Sequence, residues 1–266
     1  MGLKFAVMLC TMPRDFETAE RGSRVIRRRW FRTGLLELPP VFWFVHTVFF
    51  DKAKEYLAGS AFYREHPDEK PTIIGRGFNA KPGRDPNREW DLAKRENEGY
   101  RWCYGQIYAR GFDGVIKIDS DCMVLRPECF TNPVRDSAAD HVYRPQTPIY
   151  NSGTSERFPF DAADNICMHH AWGPAMLFSR AALKAMLDYP QEDFEKLVVR
   201  CRGWDDQLFS RMICNMRGMC ISEINPAYTV ANGAKRMPDE NTVYICDNPR
   251  KQRRQAYDVD GNFIPA

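Results

Sequence analysis

The chain has 266 residues, 44% hydrophobic and 27% charged, enough for one or two domains with a sizeable buried core. That balance excludes a disordered chain, a collagen-like repeat and a coiled coil. A net charge of +3 gives no strong global field, so nucleic-acid binding is neither demanded nor excluded.

Residues 4–10 read as a first buried strand, and Pro13 marks the loop that follows, since proline lacks a backbone donor. Arg14 and Asp15 come at once after this apolar start, with no small-residue cleavage pattern, so it is expected to be a strand and not a signal peptide. Residues 16–32 predict a helix, strongly basic in its second half. Residues 41–50 predict a second strand, continuously apolar as parallel strands covered on both faces tend to be. This stretch contains His46 and Thr47 and is too short to span a bilayer, which takes roughly 20 residues. Residues 51–57 look helical, and residues 64–92, rich in Pro, Gly, Asn and Asp, predict a long polar loop. Residues 90–110 predict a helix, and residues 115–118 a short strand ending on Asp119. Strands alternating with helices indicate an α/β sandwich around a mostly parallel sheet. Ligands of such sheets bind beyond the carboxyl ends of the strands, where residues 11–14 and 119–121 would lie.

Nine cysteines form no C-x-x-C pair. An odd, scattered set predicts reduced thiols packed as small hydrophobes, and with no secretion signal a cytoplasmic location, a host cytoplasm if the protein is viral. A domain over residues 1–225 and a C-terminal extension over 226–266 that closes the site are expected.

The most informative segment is Lys117-Ile118-Asp119-Ser120-Asp121. An apolar strand runs into two carboxylates, and burying both is costly unless something cationic neutralises them. Mg²⁺ or Mn²⁺ carrying phosphates suits such a pair, because these ions take hard oxygen ligands and complete their shells with phosphate and water. A solvated surface turn is the plain alternative. A second carboxylate pair, Asp205-Asp206, precedes an apolar segment at 208–216. It can cap a helix or supply a general base for an attacking hydroxyl. Between the pairs, Trp172-Gly173-Pro174 leads into a short strand, after which Ser179 starts a helix. His169 and His170 are adjacent, so on a strand they would point to opposite faces, against a shared metal.

Four blocks, in order, resemble the GT-A glycosyltransferases, most closely the group of β1,3-galactosyltransferases and Fringe. Residues 24–30 resemble R-x-A-I-R-x-T-W, and Lys117-Ile118-Asp119-Ser120-Asp121 resembles K-T-D-D-D. Residues 172–183 resemble G-x-G-Y-V-L-S-x-x-x-L, and Asp205-Asp206-Gln207 resembles E-D-V. The resemblance implies a GT-A, Rossmann-like sandwich that binds a nucleotide sugar, UDP-sugar first. It implies that Asp119 and Asp121 hold Mn²⁺ or Mg²⁺, with Ser120 between them at the donor site. It also implies Asp206, with Asp205 beside it, as the base of an inverting transfer, and Arg27 and Lys117 near the nucleotide. Thr11 and Arg14 flank the nucleoside on topology alone. The group's later histidine metal ligand has no counterpart, since no His follows His170; Asn232, Asp247 or water would replace it.

Two basic runs, at 21–32 and 250–254, are a solvated face or a surface for a polyanion. With them, the acceptor is expected to be a hydroxymethylated pyrimidine in DNA, entering near Trp172, Gly173 and Trp204. A cell-envelope glycan is the alternative acceptor. A sugar nucleotidyltransferase or a non-catalytic binding module is the alternative class. The first lacks a Gly-rich phosphate loop after the opening strand. The second leaves two carboxylate pairs at strand ends unexplained.

Overall fold

The computed structural model describes residues 2–75, 86–136, 146–147, 175–200, 208–209, 212, 222–223, 229–232, 242–246, 256–257 and 263–264. The chain opens with strand β1 (Phe5–Cys10), helix α1 (Phe16–Arg29), β2 (Val41–Phe44), α2 (Phe50–Gly59), α3 (Ala61–Glu65) and β3 (Thr72–Ile74). Then come α4 (Pro86–Ala109), β4 (Gly114–Asp119), β5 (Cys122–Val124), α5 (Glu128–Asp136), β6 (Gln146–Thr147) and β7 (Ala175–Ser179). Helices α6 (Arg180–Asp188) and α7 (Gln191–Arg200) follow, and the last strands are β8 (Ser222–Glu223), β9 (Thr229–Asn232), β10 (Thr242–Cys246), β11 (Ala256–Tyr257) and β12 (Phe263–Ile264).

The main sheet has the order β3-β2-β1-β4-β7. Its first four strands are parallel, and β7 closes the edge antiparallel to β4. Both faces are covered, which explains the unbroken apolar runs. Val7, Leu9, Trp43, Ile116 and Ile118 join one core with residues of α1, α2 and α5. Ala6, Met8, Phe42, Phe44, Val115 and Met176 join the other with residues of α4, α6 and α7. The alternation follows from the two-residue period of a strand.

Four expectations about elements need correction. The second strand stops at Phe44 and not at Phe50, because the His46 imidazole accepts a hydrogen bond from the Val48 amide at 3.2 Å and turns the chain into a 3₁₀ turn. The first helix stops at Arg29; a 3₁₀ turn over Trp30–Thr33 ends on Gly34, whose φ of 70° lies in the left-handed region that glycine enters freely. The polar stretch at 64–92 holds β3, whose three residues are too few to show a period. It also holds the start of α4, where Pro86 occupies the first turn, the helical position that needs no backbone donor.

The cap of α6 is as expected: Ser179 Oγ accepts from the Ala182 amide at 3.1 Å. Cys10, Cys103, Cys122 and Cys129 are not joined in disulfides, and the last three are buried among apolar side chains. Among the described residues no helix is long and apolar enough to cross a membrane.

A smaller sheet, β5-β10-β9, grows from the segment just after Asp121. The expected C-terminal extension therefore supplies two of its three strands. Helix α1 lies directly against β5. A Cβ on Gly22 would stand 2.9 Å from the Cys122 carbonyl oxygen, so only glycine lets the helix come this close. The turn that carries Asp119 to Asp121 is thus held between two sheets and one helix.

Candidate active site

Strand order determines where a ligand fits. From β1 the chain moves through α1 to β2 on one side, while β4 and β7 lie on the other. Neighbouring strands whose connections leave in opposite directions open a crevice at their carboxyl ends. Cys10 is in register with Asp119, so the loop after β1 and the turn after β4 share that edge.

Asp121 is largely buried, and its carboxyl is pushed up to about 6 from an ordinary 3.8. Burial is the main cause and the charge of Asp119 the next; Asp15 acts in the same direction, while the residue's own backbone N–H and Lys117 oppose it. Asp119 is more open, its side chain 36% exposed. Lys117 is 1% exposed, and its Nζ donates to Asp119 Oδ1 at 2.6 Å while lying 5.9 Å from the centre of the Tyr100 ring.

This donor set fits a hard divalent ion. Two carboxylates at one turn, with a negative charge that burial has made costly, suit a cation whose other ligands are phosphate and water. Among the described residues no group of three or more His, Cys, Asp or Glu is arranged to hold a metal by itself. Asn232 ends β9, and its register partner Cys246 ends β10 opposite Cys122. The register thus brings Asn232, one of the expected substitutes for the missing histidine, to the Asp121 end of the small sheet. Asp247 lies outside the described residues.

Thr11 directly follows β1 at the carboxyl edge of the sheet. Its amide donates to the Phe44 carbonyl at 3.0 Å, the residue is 9% exposed, and its buried hydroxyl has no hydrogen-bond partner among the described residues. Such an orphan costs stability unless a ligand completes it. Arg14 is half exposed, with Nε 3.3 Å from Asp15 Oδ2. Ser120 lies at the tip of the turn between the two aspartates.

Arg27 is not brought to this edge. Helix α1 starts beside the crevice and runs away from it, and eleven residues after Phe16 correspond to about 16 Å of helix. There the Arg27 guanidinium sits 3.6 Å from Glu69. Other residues of that block serve packing: Ile26 and Trp30 are in the core, and Arg24 covers the Phe62 ring at 4.0 Å. Trp172, Gly173, Trp204, Asp205 and Asp206 lie outside the described residues. Leu208 and Phe209, which follow the second carboxylate pair in sequence, are fully buried, with Phe209 edge-on to Tyr100 and Tyr104.

Two residues of the site escape the sequence reading. Asp15 is one position beyond the loop segment singled out, and its proximity to Asp121 is visible only once β1 and β4 are paired. Tyr100 reads as an ordinary apolar position of a helix; nothing in sequence links it to Lys117.

This architecture is the GT-A sandwich, a mixed α/β fold with its crevice at the β1/β4 switch point. The structure matches that of an active-site mutant of LgtC with a TM-score of 0.50 at 12% identity, over 91% of this chain and 86% of that one. That likeness shows the fold. Two further matches are mouse xyloside xylosyltransferase 1 (TM-score 0.47, 12% identity, 95% of this chain and 100% of that one) and a glycosyltransferase involved in glycosylation of the major capsid of PBCV-1 (0.39, 9%, 91% and 92%). No protein-family model matches the chain, and no curated protein sequence does.

Proposed function

We propose that the chain is a glycosyltransferase that moves a sugar from a nucleotide sugar, a UDP-sugar in the first instance, to an acceptor hydroxyl. The observation that carries this reading is the carboxylate pair Asp119 and Asp121, the second of them largely desolvated, at the switch point of a GT-A fold. The four ordered sequence blocks support it and favour the β1,3-galactosyltransferase and Fringe group. Asp119 and Asp121 hold Mn²⁺ or Mg²⁺ in this reading. When bound, the ion supplies charge stabilisation for the departing diphosphate. Thr11 meets the nucleoside, and Arg14 borders it. Asp206 takes the proton of the acceptor hydroxyl, which attacks from the face opposite the leaving group and inverts the anomeric carbon.

The expected acceptor is a hydroxymethylated pyrimidine in DNA. A second reading, an envelope glycan, is favoured by one observation. Arg21, Arg24 and Arg27 of α1 lie 3.8, 3.6 and 3.6 Å from Glu17, Glu20 and Glu69, so these three of the run meet the chain's own acids. The run at 250–254 lies outside the described residues.

The test is to incubate the protein with Mn²⁺ and a panel of nucleotide sugars, with and without hydroxymethylated DNA. Donor hydrolysis that chelation stops is expected, and nucleoside mass spectrometry then decides the acceptor. Failure to bind or cleave any nucleotide sugar would end the glycosyltransferase reading; cleavage without DNA labelling would leave the glycan.

The orphan hydroxyl gives a separate expectation. Thr11→Val keeps the side-chain shape and removes a buried, unsatisfied polar group, worth about 1–3 kcal/mol. The variant should melt no lower than the wild type, yet bind UDP more weakly by calorimetry. A variant that melts lower and binds UDP as before would assign Thr11 to packing.

A further inference from the structure

Lys117 is out of place by the ordinary rules of a strand core. It occupies the second sheet strand from the edge, 1% exposed, on the face where Val115 meets α4. Burying an ammonium is costly unless it is paired, and the pairing found is with Asp119, the more open of the two aspartates. The Tyr100 ring flanks Nζ on the α4 side. The group is enclosed and engaged with Asp119, while the resemblance sets it near the nucleotide.

Its charge nevertheless acts on whatever Asp119 and Asp121 hold. A fixed cation bonded to one carboxylate repels a divalent ion arriving at the same pair. A diphosphate that arrives with the ion offsets that repulsion with its own negative charge. We infer that Lys117 is an internal counter-ion that keeps the Asp119–Asp121 pair from holding a divalent ion tightly until a nucleotide diphosphate binds with it. Lys117 is thus a positioning residue that couples the two ligands. By linkage, the same factor by which UDP tightens Mn²⁺ binding is the factor by which Mn²⁺ tightens UDP binding. The inference rests on the reading of the aspartate pair as the metal site.

The experiment is titration of Mn²⁺, followed by electron paramagnetic resonance, with and without UDP. The proteins are wild type, Lys117→Met and Lys117→Gln. Methionine keeps the length of the stem, and glutamine keeps an amide donor for Asp119 without the charge, so one folded variant suffices. Without UDP, either variant should bind Mn²⁺ at least about tenfold more tightly than the wild type. With UDP the difference should shrink, so the coupling factor falls. A residue that only fills the core predicts unchanged or weaker binding when replaced, and that result would overturn the inference. Wild-type protein that binds no Mn²⁺ even with UDP would overturn the metal reading itself. Wild-type binding with UDP and no gain in the variants would overturn the role of Lys117 alone.

Discussion

Asp121→Asn should abolish sugar transfer and at the same time make the metal-free protein more stable above pH 6. The two effects have one cause. Burial and the neighbouring charge of Asp119 hold the Asp121 carboxyl at about 6 in the folded chain, against 3.8 in an open one. Between those values the folded state binds a proton that the unfolded state has released. Stability therefore falls as pH rises through that window, and it stays lower above it. The difference corresponds to as much as ~3 kcal/mol, reduced by the solvent that reaches the exposed edge of the side chain. Asparagine has no charge to bury, so its protein should lack this decline. The measurement is thermal melting in EDTA at a series of pH values between 4 and 7, wild type against variant. The wild type should lose several degrees relative to Asp121→Asn across the window. Parallel pH profiles would show that Asp121 is not held as the structure holds it. Transfer by the variant at the wild-type rate would remove Asp121 from the metal site.

Sequence made the centre of the sheet legible and left its margins obscure, for physical reasons. β1 and β4 are buried on both faces, so each appears as a continuous apolar run with no competing helical period. The same burial made Asp119 and Asp121 conspicuous, because charges at the end of such a run demand a partner. β3 escaped because Thr72, Ile73 and Ile74 are a three-residue strand inside a polar stretch. β2 ends earlier than the composition indicates because Val45, Val48, Phe49 and Phe50 continue the apolar run while a His46 side-chain hydrogen bond turns the backbone. The position of Arg27 is hidden from sequence for another reason. A motif carries residue types but not the direction of a helix, and α1 takes Arg27 away from the crevice to Glu69. Asp15 and Tyr100 depend on contacts between segments far apart in sequence, which no local pattern records. The two-sheet clamp around Cys122 depends on β10, more than a hundred residues later.

Asp206→Asn should lower turnover by about 10²–10⁴-fold and leave donor binding intact. An acceptor hydroxyl is a weak nucleophile, and its proton must leave as the bond to the anomeric carbon forms. A carboxylate placed to receive that proton acts in the transition state and not in the ground state, so its loss lowers kcat and leaves the KM for the donor. Asparagine occupies the same volume and accepts no proton. The cap reading of this pair predicts a different result. Asparagine caps a helix as well as aspartate does, so a cap residue changed in this way would scarcely alter either stability or rate. The segment that follows is anchored in the core, since Leu208 and Phe209 are fully buried, with Phe209 edge-on to Tyr100 and Tyr104. Steady-state kinetics on the variant, with donor affinity measured by calorimetry, separate the two. Loss of turnover with unchanged affinity identifies the base. An unchanged rate with the same variant transfers the role to Asp205, and Asp205→Asn then has to show the loss that Asp206→Asn did not.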